Sequence, residues 1–181
     1  MPLPVHAEFT APHTPCVPSD RVLIAHGSTP GQETVASVAL VRDGRVVARV
    51  DMLASAGASC FKDLRSIDGY VYIGFGRFVF VVDPDQARVR AYPLDGYFGH
   101  LYDARELDDA GGAMAVFATS ASEVLAFDRK GNLIWTQAGL GVDGVVLHGA
   151  AAGRIDGAGD HDPPGGWQAF SLAADDGRIL P

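Results

Sequence analysis

Residues 122–135 constrain the fold of this chain more than any other stretch. Two short apolar runs, residues 124–127 and 133–135, lie on either side of a polar segment that begins at Asp128 and contains Gly131. A glycine tolerates the positive φ angle that a tight hairpin needs, and an aspartate can hold a turn through its own carboxylate. The pattern therefore predicts two β-strands joined by a tight turn.

The same pattern recurs along the chain at a nearly constant interval. Successive turn aspartates lie 40, 45 and 47 residues apart, at Asp43, Asp83, Asp128 and Asp175. Such spacing, with about four short strands in each copy, is typical of the sheets of a β-propeller. No stretch keeps helical apolar spacing over three turns. The sequence predicts an all-β fold with a propeller-like array of about four antiparallel sheet units, with a β-sandwich or a partial propeller as the alternative.

The repeat also predicts the domain organisation. We expect a single β domain over residues 1–181, in which residues 1–20 are partly irregular because they hold five of the eleven prolines. Each copy contains one of the turn aspartates, and the four repeat units are approximately residues 21–55, 56–95, 96–140 and 141–181.

The hairpin at residues 124–135 resembles the repeat of quinoprotein-type (PQQ-repeat) propellers. In that repeat a strand ending in aspartate leads through a glycine turn to a strand ending in tryptophan, and Asp128, Gly131 and Trp135 match it here. Tyr92 lies near the tryptophan position in the second unit, and the first and fourth units have no aromatic residue there. The resemblance implies a propeller-like scaffold. It does not imply quinoprotein chemistry, since the same fold hosts binding scaffolds and enzymes, and no cofactor is indicated.

Charge and composition restrict the partners and the compartment. A net charge of −8 argues against nucleic acid and against an anionic membrane, because both repel an acidic surface. No apolar run is long enough to cross a bilayer, and the N-terminus lacks the features of a signal peptide. We therefore expect a cytoplasmic protein with two reduced thiols, Cys16 and Cys60.

Three aromatic residues and a histidine collect between the second and third units. Connections between the sheets of a propeller lie on one face and often form a ligand site. Tyr97, His100 and Tyr102 are therefore candidate ligand-binding residues. His100 would act as a general base if Asp103 or Glu106 oriented it. The alternative is aromatic packing between sheets and a surface histidine.

A glycine-rich segment nearer the C-terminus places three potential metal ligands side by side, Asp160, His161 and Asp162. Carboxylate oxygens and an imidazole can hold a divalent cation. Because adjacent residues seldom face one point, we favour the alternative of a solvated connection stiffened by prolines. Trp167, directly after two glycines, is a candidate ligand-docking side chain or a core side chain, and we favour the core.

These observations favour one class of function without naming a reaction. No motif of a known catalytic class is present, and no catalytic residue is assigned. We expect a non-catalytic binding or interaction module whose partner is a protein or a small ligand. The alternative is a metal-dependent or His/acid-dependent hydrolase or lyase that uses loops 97–102 and 160–167. Assembly into a homo-oligomer is left open.

Overall fold

A computed structural model of the chain describes residues 4–12, 22–26, 33–54, 61–108 and 112–181. Within these ranges the chain forms four β-sheets and one short 3₁₀ helix. The predicted all-β fold with about four antiparallel sheet units is confirmed. The predictions for Cys16 and Cys60 fall outside the described residues. Nowhere in the described ranges is there a helix with the length and apolarity to span a membrane.

Two compact units divide the chain, Met1–Pro93 and Leu94–Pro181. The single domain inferred from the repeat stays a prediction. The first unit has eight described strands: β1 (His6–Thr10), β2 (Val22–His26), β3 (Glu33–Arg42), β4 (Arg45–Ala54), β5 (Lys62–Ile67), β6 (Tyr70–Phe75), β7 (Phe78–Asp83) and β8 (Arg88–Pro93).

The two sheets of the first unit differ in topology. The first sheet has the order β1-β3-β4-β2, and β2 pairs with β4 in parallel while the other pairs are antiparallel. The second sheet is an antiparallel meander in the order β5-β6-β7-β8. Their facing side chains, among them Val38, Val50, Ile73 and Phe80, form one hydrophobic core.

The second unit contains the third and fourth sheets. The third sheet is a meander in chain order, and the fourth has three antiparallel strands, also in chain order. Leu147, Ile155 and Leu172 of the fourth sheet share a core with Phe117 and other residues of the third. The strands are β9 (Phe98–Asp103), β10 (Met114–Ser120), β11 (Val124–Asp128), β12 (Leu133–Gln137), β13 (Gly144–Ala151), β14 (Arg154–His161) and β15 (Gly166–Ala173), and the 3₁₀ helix Ala104–Leu107 follows β9.

The polar hairpin corners form as the sequence predicts. Between β11 and β12, the Asp128 carboxylate accepts hydrogen bonds from the backbone N–H groups of Lys130 and Asn132, both at 2.8 Å. Gly131 in the same turn has φ of +68°, which is the left-handed conformation that glycine adopts at no steric cost. Asp128 therefore fixes the turn through its side chain.

Trp135 of β12 joins the two sheets of the second unit. Its ring lies 6.0 Å from the ring of Phe117, and its indole Nε1 donates a hydrogen bond to the Ala174 carbonyl at 3.0 Å. A methyl group at Gly177 would approach the Trp135 ring to 2.5 Å, so the glycine lets the backbone pack directly on the ring. The tryptophan that ends the hairpin thus packs against residues that follow β15.

A buried polar network lies within the first sheet. The Asp51 carboxylate accepts a hydrogen bond from the Ser37 hydroxyl at 2.6 Å and pairs with the Arg49 guanidinium at 2.8 Å. Ser37 and Asp51 expose 0% and 4% of their surface. They lie directly opposite each other on β3 and β4, so the register of the hairpin places the hydroxyl on the carboxylate.

Candidate functional site

The fourth sheet leaves one of its faces open to solvent. Alternate residues of its strands point to opposite faces, and one face, with Ile155 and Leu172, packs in the core. The opposite face carries Trp167, which is 56% exposed. We call this face the Trp167 surface; it comprises Val146, Asp156, Ala158, Asp160, Trp167, Ala169 and Ser171.

The other three sheets bury side chains on the corresponding face. Ala39 in the first sheet, Val81 in the second and Leu125 in the third all point away from the shared cores of the two units. Each of them exposes 2% of its surface or less. Among the described strands, those of the fourth sheet thus combine a buried face with a face that presents a large aromatic side chain to solvent.

The position of Trp167 corrects two expectations. The favoured assignment of this residue to the core is wrong, because the outer face of β15 is not covered. The favoured solvated connection over residues 156–167 is wrong for residues 156–161, because these form most of β14, the central strand of the fourth sheet, and it holds for the exposed turn at residues 162–165. Gly157 and Gly159 do not make a flexible loop here; they admit the carbonyl oxygens of Val146 and Leu140 close to the strand.

Tyr97, Asp160 and Trp167 meet around one loop, residues 140–144. The Tyr97 hydroxyl donates to the backbone carbonyl of Asp143 and lies 3.1 Å from its Oδ1. The Asp160 carbonyl accepts from the N–H groups of Val142 at 2.8 Å and Asp143 at 3.3 Å. Trp167 is the cross-strand neighbour of Asp160. Three of the sequence-predicted site residues therefore lie at the same end of the second unit.

Trp167 has room beside it because a neighbouring residue has no side chain. A Cβ atom built on Gly144 would lie 3.6 Å from the Trp167 ring. The ring thus reaches Gly144 of β13, and Asp160, its cross-strand neighbour on β14, lies on the same face of the sheet. An exposed aromatic face beside a carboxylate is a combination that attracts cationic groups.

His100, which is exposed, and Tyr102, which is half-buried, lie together on β9. Their rings lie edge to face at 6.0 Å, and the Tyr102 hydroxyl accepts a hydrogen bond from the Leu147 N–H at 3.2 Å. Burial raises the pKa of Tyr102, against the opposing effect of that hydrogen bond. The carboxylates expected to orient His100 are engaged elsewhere: Asp103 caps the 3₁₀ helix, and Glu106 accepts from the Asp103 N–H.

Asp160, His161 and Asp162 do not converge as a cluster. Asp160 and His161 are consecutive residues of β14, so their side chains point to opposite faces, and Asp162 lies in the exposed turn that follows. Among the described residues, no three His, Cys, Asp or Glu side chains are grouped as metal ligands. The metal hypothesis thus gains no support from this geometry.

A second polar cluster, which the sequence analysis missed, adjoins the same loop. Glu123 is 6% exposed, and its Oε1 accepts a hydrogen bond from the Asp95 N–H at 2.6 Å. The Ser122 hydroxyl donates to Asp95 Oδ2 at 3.0 Å, and the Ser120 hydroxyl donates to the Asp95 carbonyl at 2.8 Å. The sequence feature that could have identified this cluster is the run of small polar residues and one glutamate between two strongly apolar strands.

This cluster borders a pocket of about 340 Å³. Asp95 and Ser122 contribute its polar lining, and the loop that holds Asp143 closes one side. Glycine predominates among the remaining lining residues, which are Gly96, Ala121, Gly139, Gly141 and Val142. The pocket and the Trp167 surface therefore lie on either side of a single loop.

The buried carboxyl of Glu123 predicts a pH-dependent stability difference. Burial raises the pKa of Glu123, the N–H of Asp95 lowers it, and the nearby Asp95 carboxylate raises it again. Because the pKa of Glu123 is raised in the folded state, its ionised carboxylate destabilises that state. This destabilisation is absent below the ordinary glutamate pKa, and it grows as pH rises through the folded-state pKa. The Tm of Glu123→Gln relative to the wild type should therefore increase between pH of about 4 and about 7.

Asp128 provides the control of opposite sign. Burial tends to raise the pKa of Asp128, but hydrogen bonds from Asn132 and Lys130 and the Lys130 charge together lower it. Its ionised form favours folding, and that contribution is lost as pH falls through the folded pKa. The Tm of Asp128→Asn relative to the wild type should therefore decrease as pH rises towards about 4, the ordinary aspartate pKa, and should change little from there to about 7. Parallel trends for the two variants would contradict this assignment.

A larger pocket of about 730 Å³ lies elsewhere in the second unit. Arg154 and Arg178 line it, but their guanidinium groups pair with Asp156 at 2.6 Å and Asp176 at 3.3 Å. Their charges are thus balanced, and the pocket offers no convergent set of polar groups.

Comparison with known proteins adds no family to this description. No protein-family model matches the chain, and no curated protein matches it. The class that the fold and site define is therefore structural: an all-β protein of four sheets, with an exposed aromatic and acidic face on the last one. The function has to be argued from the chemistry of that face.

Proposed function

We propose that this protein is a non-catalytic binding module that holds a protein partner at the Trp167 surface. The observation that supports this most directly is the 56% exposure of Trp167 on the open face of a sheet. A tryptophan is a frequent energetic centre of protein interfaces, because it covers a large contact area at a low cost in conformational entropy.

The surroundings of Trp167 favour a contact surface over a catalytic centre. Val146, Ala158 and Ala169 are small or medium-sized and form a shallow apolar patch beside the ring. The polar residues Asp156, Asp160 and Ser171 lie on the same face beside this patch, as polar residues do at the rim of a protein interface. The aromatic side chain of Tyr97 is 37% exposed on the far side of the loop at residues 140–144, and it would extend the contact area.

The scaffold in this proposal is propeller-like, with repeats of the quinoprotein type. The second and third sheets are four-stranded meanders, which agrees with such a repeat, and the first sheet departs from it through its parallel strand β2. No quinone chemistry is part of the proposal. A cytoplasmic location, two reduced thiols and self-association remain predictions from the sequence.

Selection of binders tests the proposal. A peptide-display library panned on the wild-type protein should yield binders whose affinity falls about tenfold or more with Trp167→Ala. The matched control is Phe61→Ala, because Phe61 is also an exposed aromatic residue, at 50%, but belongs to the first unit. The proposal is wrong if the recovered binders respond equally to both substitutions or to neither.

A second candidate function, acid–base hydrolysis, has one observation in its favour. The raised pKa of Glu123 beside Asp95, at the border of a pocket, is the kind of perturbation that accompanies catalytic carboxyl groups. A panel of chromogenic esters, phosphates and glycosides would test it. Turnover that disappears in both Glu123→Gln and Asp95→Asn supports a hydrolase; turnover that persists in either variant, or none in the wild type, rejects this candidate.

A further inference from the structure

We propose that the free edge of β15 binds an extended peptide as the fourth strand of the last sheet, with a basic side chain of the peptide beside Trp167. This inference rests on the proposed binding function and specifies its mode and its partner class. The partner is an extended segment that carries lysine or arginine at alternate positions.

The edge is visible in the hydrogen bonding of β15. The carbonyl of Ser171 accepts from the N–H of Leu180 at 2.8 Å, and the N–H of Ala173 donates to the carbonyl of Arg178 at 2.9 Å. These bonds close a short bridge between Leu172 and Ile179. Within the described residues, no other strand pairs with this side of β15.

The directions of the other backbone N–H and C=O groups at this edge follow from the geometry of a strand. The N–H and C=O groups of Ser171 and Ala173 point away from β14, and backbone direction alternates from residue to residue. The corresponding groups of Ala169 and Trp167 therefore point to the same open edge. Both residues are exposed, so two donors and two acceptors face solvent in register, as strand addition requires.

The strand number differs between the sheets. Among the described residues, each of the first three sheets contains four strands, whereas the fourth contains three and the single bridge at Ile179. An added antiparallel strand would continue the line of residues 178–180 and complete the set. In such a pair, residues directly opposite each other place their side chains on the same face of the sheet. A peptide residue opposite Trp167 would thus lie on the Trp167 surface.

Charge complementarity selects the peptide's side chain. Asp160 is the direct cross-strand neighbour of Trp167, and Asp156 lies on the same face nearer the other end of β14. Arg154 carries the balancing charge for Asp156, so the Asp160 end is the more negative part of the face. A lysine or arginine opposite Trp167 would have the ring for a cation–π contact and the Asp160 carboxylate for an ion pair.

Calorimetric titration with synthetic peptides tests the inference. The probe is the acetylated and amidated peptide Thr-Lys-Val-Lys-Val-Thr, compared with the same peptide carrying Glu in place of both lysines. We expect the Lys peptide to bind the wild-type protein and the Glu peptide to bind at least about tenfold more weakly. If the Lys peptide does not bind, or if the two peptides bind equally, the basic-strand inference is overturned.

Two further arms test strand pairing itself. The lysines that share the face of Trp167 are also the residues that exchange backbone hydrogen bonds with it, so N-methylation of both lysines should abolish binding. N-methylation of both valines, whose N–H groups face away, should be tolerated. On the protein side, Ala169→Pro removes an outward N–H without removing a bond to β14, and it should weaken binding about tenfold or more. Unchanged binding in these arms overturns strand addition.

The outcomes separate the two proposals. Binders from the display library that depend on Trp167 but bind Ala169→Pro as they bind the wild type would leave the binding function standing and reject strand addition. Peptide binding that depends on Ala169 but not on Trp167 would reject the tryptophan-centred function. Circular dichroism of Ala169→Pro checks its fold, and the N-methylated peptides decide the question with wild-type protein alone.

Discussion

Gly159→Ala is expected to lose about 4 kcal/mol or more of the free energy of unfolding, an exceptional effect for one methyl group. A Cβ atom at Gly159 would lie 1.7 Å from the Leu140 carbonyl oxygen and 2.6 Å from its carbon, and both are backbone atoms. No side chain can move aside to relieve this contact. Residues 140–143 would have to separate from β14, which breaks the hydrogen bonds that Val142 and Asp143 donate to Asp160.

A matched glycine in the same sheet provides the control. Gly149 of β13 has no atom within 4 Å of the Cβ position and no positive φ. Gly149→Ala should therefore be neutral or slightly stabilising, because alanine has less backbone freedom to lose on folding. Urea unfolding followed by circular dichroism measures both. A Gly159→Ala protein that stays within about 1 kcal/mol of the wild type would mean that the close approach of Leu140 does not exist.

Asp51→Ala is expected to destabilise the first unit by about 3–5 kcal/mol, which is typical for breaking a buried ion pair. The substitution leaves the Arg49 side chain, which is only 11% exposed, without the carboxylate 2.8 Å away. It also removes the acceptor of the buried Ser37 hydroxyl. The penalty arises because the buried hydroxyl and the largely buried guanidinium lose this carboxylate while they stay shielded from water.

An exposed ion pair in the same unit shows how much of the expected stability loss of Asp51→Ala is due to burial. Arg42 and Asp85 form a contact of 2.7 Å, closer than that of Arg49 with Asp51, but their side chains are 26% and 53% exposed. Asp85→Ala should therefore change stability by less than about 1 kcal/mol, since water replaces the lost interaction. Thermal and urea unfolding of both variants provide the comparison. Equal losses would show that the network around Asp51 is not buried.

The hairpin turns were the part of the fold that could best be predicted from sequence. The corner at Asp43 and Gly44 has φ angles of 52° and 70°. In the longer turn after β11, Gly131 has φ of +68° and the Asp128 carboxylate accepts the Asn132 N–H. Each of these turns depends only on residues adjacent in the chain. Alternation of apolar and polar residues then places strands on both sides of the corners.

The pairing of strands and the burial of sheet faces could not be predicted, because both depend on residues distant in sequence. The glycines at 157 and 159 suggested a loop, yet they are required where other strands and loops approach β14 closely. Likewise, β2 pairs in parallel with β4, which is distant from it in sequence. The exposure of Trp167 follows from a sheet face that nothing covers, and no property of residues 160–167 encodes that.

The two tryptophans of this chain occupy opposite environments, which gives the second unit two intrinsic optical reporters. Trp135 is 7% exposed and its indole is bound to the Ala174 carbonyl, so its emission should be blue-shifted and should change only when the third and fourth sheets part. Trp167 is 56% exposed, so its emission should lie at longer wavelength and be quenched by soluble iodide. A single tryptophan emission spectrum thus reports two properties. Its short-wavelength side reports whether the third and fourth sheets remain packed together, and its long-wavelength side reports whether a partner covers the Trp167 surface.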